Sequence, residues 1–480
     1  MKIEFSNGCI CAGQLSRMCV GDLRYEKDAG IPLWGICTDS READERTAFC
    51  ALRGERVDGH DYIPNALANG CRCVICERSS EEIENAGAAA VVVGDSELAL
   101  AYFANAYRKT LSCSCVAVTG SVGKTTTKDL IASVLAVRHK TFRTEGNHNS
   151  TVGMPLSVPQ IPADTAWAVL EMGMSGFGEI ERLATVAEPD IAVITNIGTA
   201  HMEMLGSREN ICRAKLEVLC GLRTGGILLL NGDEPLLENI GGKSYRTVYV
   251  STKRENAPFF AKNIRVEKDC TRFDLVWAGG EEKDLSICVM GKHNVYAAMF
   301  AFAVGVMSGM KLEEIRRGLL AYKPTGLRQT VTSLDGWILM EDCYNASPES
   351  MIAALDALKD YASGLGRRCV AVLGDMLELG KDSAALHRKV GAYAANCGVD
   401  CLMAIGEHGS QIALGARQEG MPLEGLQKEP DLSSPQKIAH RLLGMLQEGD
   451  VILFKASRAV GAERIIEALR ELRKSHSENV

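Results

Sequence analysis

Residues 116–127 read Val-Ala-Val-Thr-Gly-Ser-Val-Gly-Lys-Thr-Thr-Thr, an apolar strand that runs into a glycine loop ending in Lys124 and Thr125. This stretch restricts the fold tightly, because strand, loop and helix must follow in that order for the loop to work. Backbone N–H groups of Gly120, Ser121, Val122 and Gly123 can wrap a triphosphate, with Thr126 beside them at the helix start. Lys124 can neutralise its β/γ end, and the Thr125 hydroxyl can ligate Mg²⁺. The spacing departs from the usual phosphate loop: position 118 is valine, and only two residues separate Gly120 from Gly123. The chain is read as an ATP user.

At 480 residues the chain is long enough for about three domains. Its hydrophobic fraction of 46% and charged fraction of 24% are those of an ordinary globular protein. The net charge of −8 is spread along the chain, so no basic stripe marks a nucleic-acid partner. The opening residues Met-Lys-Ile-Glu-Phe-Ser-Asn-Gly lack the apolar stretch of a signal peptide, and no apolar run reaches bilayer length, which predicts a cytoplasmic location without membrane insertion. The 18 cysteines are scattered. Cys73 and Cys76 form one Cys-x-x-Cys with no second pair at metal-knuckle spacing, so buried strand cysteines are expected.

The first hundred residues mix short strands with turns. From residue 114 the order strand, glycine loop, helix appears and strands recur at 166–171 and 191–196. Their near-continuous apolar runs suit parallel strands buried on both faces. Strands expected at 337–341, 369–373, 400–405 and 450–454 alternate with helical stretches, as in a second doubly wound sheet. Lys323-Pro324-Thr325-Gly326 marks the boundary between the two series. The reading is a three-domain α/β chain: a small N-terminal α/β domain over 1–110, a central parallel-sheet ATPase domain over 111–326 and a C-terminal Rossmann-like α/β domain over 327–480.

Ligands of an open parallel sheet sit at the carboxyl ends of its strands. Three strands of the middle region end there in polar residues: the phosphate loop, Glu171, and Asn196 followed by His201. A carboxylate and an imidazole beside a triphosphate are candidate Mg²⁺ ligands that would neutralise charge on a transferred phosphoryl group. The guanine-specificity motif Asn/Thr-Lys-x-Asp is absent, which argues against a regulatory GTPase. A nucleotide-dependent switch without transfer chemistry is the competing reading from another class.

These residues resemble the Mur ligase family. The resemblance lies in Thr119-Gly-Ser-Val-Gly-Lys-Thr125, Gly146-Asn147-His-Asn149 with Gly153-Met-Pro155, Glu171-Met-Gly173, Thr195-Asn196-Ile-Gly-Thr-Ala-His201 and Ala214-Lys215-Leu-Glu217, and it extends over nearly the whole chain. Thr38-Asp-Ser-Arg41 and the stretch 52–60 resemble the family's UDP-sugar-binding domain. Asp342-Cys-Tyr-Asn-Ala-Ser-Pro348 and Leu373-Gly-Asp-Met-Leu-Glu-Leu-Gly380 resemble the member that adds D-alanyl-D-alanine to UDP-N-acetylmuramoyl-tripeptide. A folylpolyglutamate-type ligase is the nearest alternative, disfavoured because those lack the UDP-sugar domain.

The resemblance implies that ATP phosphorylates a peptide carboxylate, and that the acyl phosphate is then attacked by an amine, in peptidoglycan precursor synthesis. Lys124, His201 and Lys215 would carry the chemistry. Thr125 and Glu171 would hold a first Mg²⁺ and His201 a second, and Lys215 would be carried as an N-carbamate serving the metal–phosphate cluster. Asn294 matches an adenine contact, Asp342 a ribose contact and Arg328 an arginine that reaches the triphosphate from the last domain, although leucine stands before Arg328 where the family reads Gly-Arg. Ser40 and Arg41 are placed at the UDP end, with Asp58 and His60 as further candidates there, and Asn149, Asn345 and Ser347 at the substrate. Ser150, Tyr296 and Ala456 depart from residues common in the family. The expected partners are small molecules only, with the chain acting as a monomer and its site completed by closure of the C-terminal domain.

Overall fold

The computed structural model describes every residue except 25–28, 55, 268–269, 325–329 and 478–480. Three six- to nine-stranded sheets follow one another along the chain. In the first, strands Gly35–Cys37, Thr47–Cys50, Cys73–Cys76 and Ala89–Val92 run parallel, with Lys2–Glu4 and Asp22–Arg24 antiparallel at the edges. Cys73 and Cys76 point into its core, as expected for strand cysteines.

The nine-stranded central sheet positions the site. Strand Ser114–Thr119 lies between Trp167–Glu171 and Ile191–Ile194, and all three run parallel, with Val118 level with Glu171 and Thr119 level with Ile194. Each strand is apolar on both sides because helices cover both faces. Val116 and Val118 pack with Leu130, Val134 and Phe300 from helices Lys124–Leu135 and Asn294–Met307. Cys115 and Ala117 face Phe103, Leu183 and Ile211 from helices Ser96–Arg108, Glu179–Ala187 and Arg208–Leu216. That second core continues into the first sheet through Phe5, Leu33 and Ile75. A parallel strand Tyr245–Ser251 leads to an extension the sequence reading did not contain: Phe259–Val266, Thr271–Trp277 and Gly280–Ile287, paired antiparallel with one another. Their alternating charged and apolar residues fit a sheet with one wet face.

The third sheet has parallel strands Trp337–Asp342, Val451–Lys455, Cys369–Leu373, Cys401–Ile405 and Leu426–Glu429, with Thr330–Leu334 antiparallel at one edge. The four strands expected here from the sequence all form. Asp342 and Lys455 end neighbouring strands in register. Among the described residues no helix is long and apolar enough to cross a membrane.

Candidate active site

The phosphate loop takes its shape from two glycines. Gly120 has φ +145° and Gly123 has φ +82°, both in the region that side chains disfavour. A Cβ on Gly120 would lie 1.8 Å from Thr195 Oγ1, so the loop can rest against the neighbouring strand end only with glycine there. That strand end holds the loop: Ser121 N–H donates to the Asn196 carbonyl (3.1 Å), Val122 N–H to Asn196 Oδ1 (2.8 Å), and Thr195 Oγ1 to the Val122 carbonyl (2.6 Å). Lys124 folds back, its Nζ donating to the Gly120 carbonyl at 2.8 Å.

At the foot of the loop Thr125 Oγ1 donates to Glu171 Oε2 (2.8 Å), and Asn149 Nδ2 donates to Glu171 Oε1 (2.8 Å). Glu171 is only 2% exposed. The nearest described cation is Lys128 Nζ at 3.7 Å, a buried residue the sequence reading missed, which also donates to the Thr144 carbonyl and faces Asp129. A buried carboxylate with a distant, shared counter-charge and an adjacent hydroxyl suits a hard divalent cation. Among the described residues no three His, Cys, Asp or Glu side chains gather closely enough to cage an ion alone. Magnesium bound here would therefore take phosphate oxygens as well, its usual habit.

A cavity of about 350 Å³ opens above this floor, between the central and third sheets. Ser121, Val122, Gly123, Lys124 and Thr126 line it from the phosphate loop and helix start, Glu171 from a strand end, and Asn149 and His201 from the segments that follow two other strands. Asn294, Asp342, Asn345 and Ser347 line it from the far side, so the structure brings these together at one rim of the sheet. Gly120 and Thr125 sit behind the lining. Ser40 and Arg41 do not join it: Ser40 is buried in a 3₁₀ turn, and Arg41, 86% exposed, folds back onto Asp39 at 2.6 Å. His60 likewise pairs locally with Asp58 at 2.6 Å. Arg328 lies outside the described residues.

Lys455 and His293 line the cavity without having been expected there from the sequence, beside Asn294 and Ser347, which were. Lys455, 2% exposed, pairs with Asp342 Oδ2 (2.6 Å) and donates to the Asn345 carbonyl (2.9 Å). Burial pushes His293 down to about 4, with Asp342 pulling the other way. Asn294 anchors through Nδ2 to the Met290 carbonyl at 2.6 Å, and Ser347 caps the helix Pro348–Leu365.

Lys215 sits on the helix Arg208–Leu216, which passes into a 3₁₀ turn, Glu217–Cys220, within the helical stretch expected over 209–220. A lysine there reads as a surface residue, yet it is 2% exposed, and no described carboxylate pairs with it. Burial, and then the positive charge of Lys124, push its amine well below the ordinary lysine value. The amine is therefore held towards its neutral, nucleophilic form.

Profiles of the Mur ligase family match the catalytic domain at residues 33–108, the middle domain at 118–305 and the glutamate ligase domain at 328–458. The UDP-N-acetylmuramoyl-tripeptide–D-alanyl-D-alanine ligase of Bacillus subtilis is 38% identical over 95% of this chain and 97% of its own. The chain belongs to the Mur ligase family. Among solved Mur ligases, MurF from Acinetobacter baumannii superposes with TM-score 0.88 at 30% identity, over 97% of this chain and all of the other. MurF ligase from Thermotoga maritima, solved in complex with ADP, gives TM-score 0.80 at 28% identity, over 92% and 98%. These matches span all three sheets of this Mur ligase, so its fold is the family's from end to end.

Proposed function

We propose that this Mur ligase joins D-alanyl-D-alanine to UDP-N-acetylmuramoyl-tripeptide with ATP, through an acyl phosphate, in the cytoplasmic assembly of peptidoglycan precursors. The observation that carries the reading is the single cavity lined by the phosphate loop, Glu171 and His201 on one side and Asp342 and Asn345 on the other. Full-length similarity to ligases of that name supports the choice of substrates.

A carboxylate resists nucleophiles until its oxygen becomes part of a good leaving group. The tripeptide carboxylate attacks the γ-phosphorus of ATP and ADP departs. The amine of D-alanyl-D-alanine then attacks the acyl carbon, an amide forms, and phosphate leaves with the transferred oxygen. The protein contributes position and charge. The loop N–H groups and Lys124 hold the β- and γ-phosphates. Thr125 and Glu171 would hold one magnesium ion and His201 a second, and metal bound there would supply charge neutralisation for the phosphoryl group. Asn294 meets adenine, Asp342 the ribose, and Arg328 the triphosphate. Because Asp342 belongs to the third domain, its closure completes the site and keeps water from the acyl phosphate.

Lys215 is assigned a structural and electrostatic role as an N-carbamate. Its neutral amine adds to CO₂, an N–C bond forms and a proton leaves, so a buried base becomes an anion beside Lys124. Ser40 and Arg41 meet the UDP end across the first domain, residues 1–110, and Asn149, Asn345 and Ser347 meet the peptide substrates. The second and third domains divide at 326.

Phosphate release from ATP, assayed with UDP-muramoyl-tripeptide, tests the assignment. Release should require D-alanyl-D-alanine, and release at the same rate without the dipeptide would refute it.

A further inference from the structure

We infer that Glu378, on the third domain, is the positioning residue that orients His201 for the site, so that domain apposition and completion of the cation site are one event. The inference rests on the reading of His201 as a cation ligand given above.

Glu378 Oε2 lies 2.6 Å from His201 Nδ1. That contact occupies one ring nitrogen and leaves Nε2 as the one available to a ligand, on a residue that lines the nucleotide cavity. A histidine that binds a metal through one nitrogen is almost always held through the other, by a carboxylate, a backbone carbonyl or water. Here the carboxylate comes from a different domain, across the joint.

The backbones meet at the same place. Glu203 N–H donates to the Glu378 carbonyl at 3.2 Å. A Cβ on Gly380, whose φ is +57°, would stand 3.1 Å from the Glu203 Cα. Thr199 Oγ1 donates to Glu349 Oε2 at 3.2 Å, so the 199–203 segment is gripped from two sides by the third domain. His201 and Glu378 both have φ of +64°, a conformation non-glycine residues rarely adopt, and they adopt it at the two ends of one contact. Such outliers persist where surrounding structure over-determines them.

The loop beneath Glu378 supplies that structure. Met376 N–H donates to Nε2 of the wholly buried His387, whose Nδ1 is set by the Ser383 carbonyl at 2.7 Å. Leu377 N–H donates to Ser457 Oγ, and the Asp375 carboxylate accepts from Glu407 and His408 N–H at 2.9 and 2.8 Å. Glu378 itself is 60% exposed, so this support serves its direction and not its burial.

Electron paramagnetic resonance of free Mn²⁺ tests the inference in the full-length chain, titrated with a non-hydrolysable ATP analogue and UDP-muramoyl-tripeptide. The wild type should bind two ions. Glu378→Ala should weaken one of them about 10- to 100-fold and leave the other unchanged. Glu378→Gln, whose amide oxygen can still accept from Nδ1–H, should recover most of that loss. The Mg²⁺ concentration for half-maximal phosphate release should shift in the same order. His201→Ala separates the two ideas. Loss of one ion in His201→Ala but unchanged binding in Glu378→Ala would overturn the role of Glu378 alone. Two unchanged ions in His201→Ala would overturn the ligand reading and this inference with it.

Discussion

Thr125 and Glu171, 46 residues apart in the chain, meet at 2.8 Å at the foot of the phosphate loop, hydroxyl to carboxylate. The contact ties the start of the helix after the loop to the end of the adjacent strand, and it leaves Glu171 with its second oxygen on Asn149.

Asn149 should therefore act through Glu171. Asn149→Ala frees Oε1 and lets the carboxylate rotate away from Thr125. Removing a partner of that kind typically costs 10–100-fold in metal affinity or activity. A titration of phosphate release against Mg²⁺ should show the apparent affinity lowered within that range. An unchanged Mg²⁺ dependence would separate Asn149 from the cation site.

Lys215 should be kept at a cost in stability. Its amine lies well below its ordinary value of 10.5 when folded. Between the folded value and 10.5 the unfolded chain carries a proton that the folded chain lacks, so stability rises with pH across that window. At pH 7, in CO₂-free buffer, Lys215→Met should unfold at higher denaturant, by about 1–4 kcal/mol. The same change should abolish ligase turnover. Lys215→Ala should lose activity that added short carboxylic acids partly restore, and full unrescued activity would remove the carbamate.

Gly120 should tolerate no side chain. In Gly120→Ala the new methyl meets Thr195 Oγ1 at 1.8 Å with φ at +145°. Relief requires moving the loop off Asn196 and Thr195, at roughly 1–3 kcal/mol of stability. Loss of one charge-assisted phosphate contact should weaken ADP binding about 10-fold or more by calorimetry.

His293 should make the protein acid-sensitive in a defined window. Its ordinary value is 6.5, and burial pushes the folded value down to about 4. Folded His293 stays neutral where the unfolded chain takes up a proton. The stability it contributes is complete above pH 6.5 and is lost as pH falls towards 4. Denaturant unfolding of the wild type should therefore fall more steeply with pH than that of His293→Gln, by at most about 1.4 kcal/mol per pH unit. Parallel curves would show that His293 is not held neutral.

The parts of the site that were legible in the sequence are those whose chemistry is local. The phosphate loop announces itself because Gly120 and Gly123 are needed for backbone reasons, and the apolar runs before Glu171 and Asn196 place Glu171 at a strand end and His201 on the segment that follows the other strand. Burial of Lys215 was not legible from the helix pattern, since a lysine near Arg213 and Glu217 reads as solvent-facing; the Ala-Lys-Leu-Glu run was the one signal. Lys128, Lys455 and Glu378 were missed because each matters through a partner 43 to 177 residues away, Glu171, Asp342 and His201. Such pairings exist only once the sheets are assembled. The antiparallel extension over 259–287 was not read from the sequence, although its alternation of charged and apolar residues is the pattern of a half-buried strand. Arg41 pairs with Asp39 and is not among the residues that line the cavity.

The most direct measurement follows an oxygen atom. UDP-muramoyl-tripeptide labelled with ¹⁸O in its terminal carboxylate is turned over with ATP and D-alanyl-D-alanine, and the released phosphate is weighed by mass spectrometry. Transfer of one ¹⁸O to phosphate for each amide formed is the predicted result. Unlabelled phosphate, with amide still accumulating, would contradict phosphorylation of the carboxylate in this cavity.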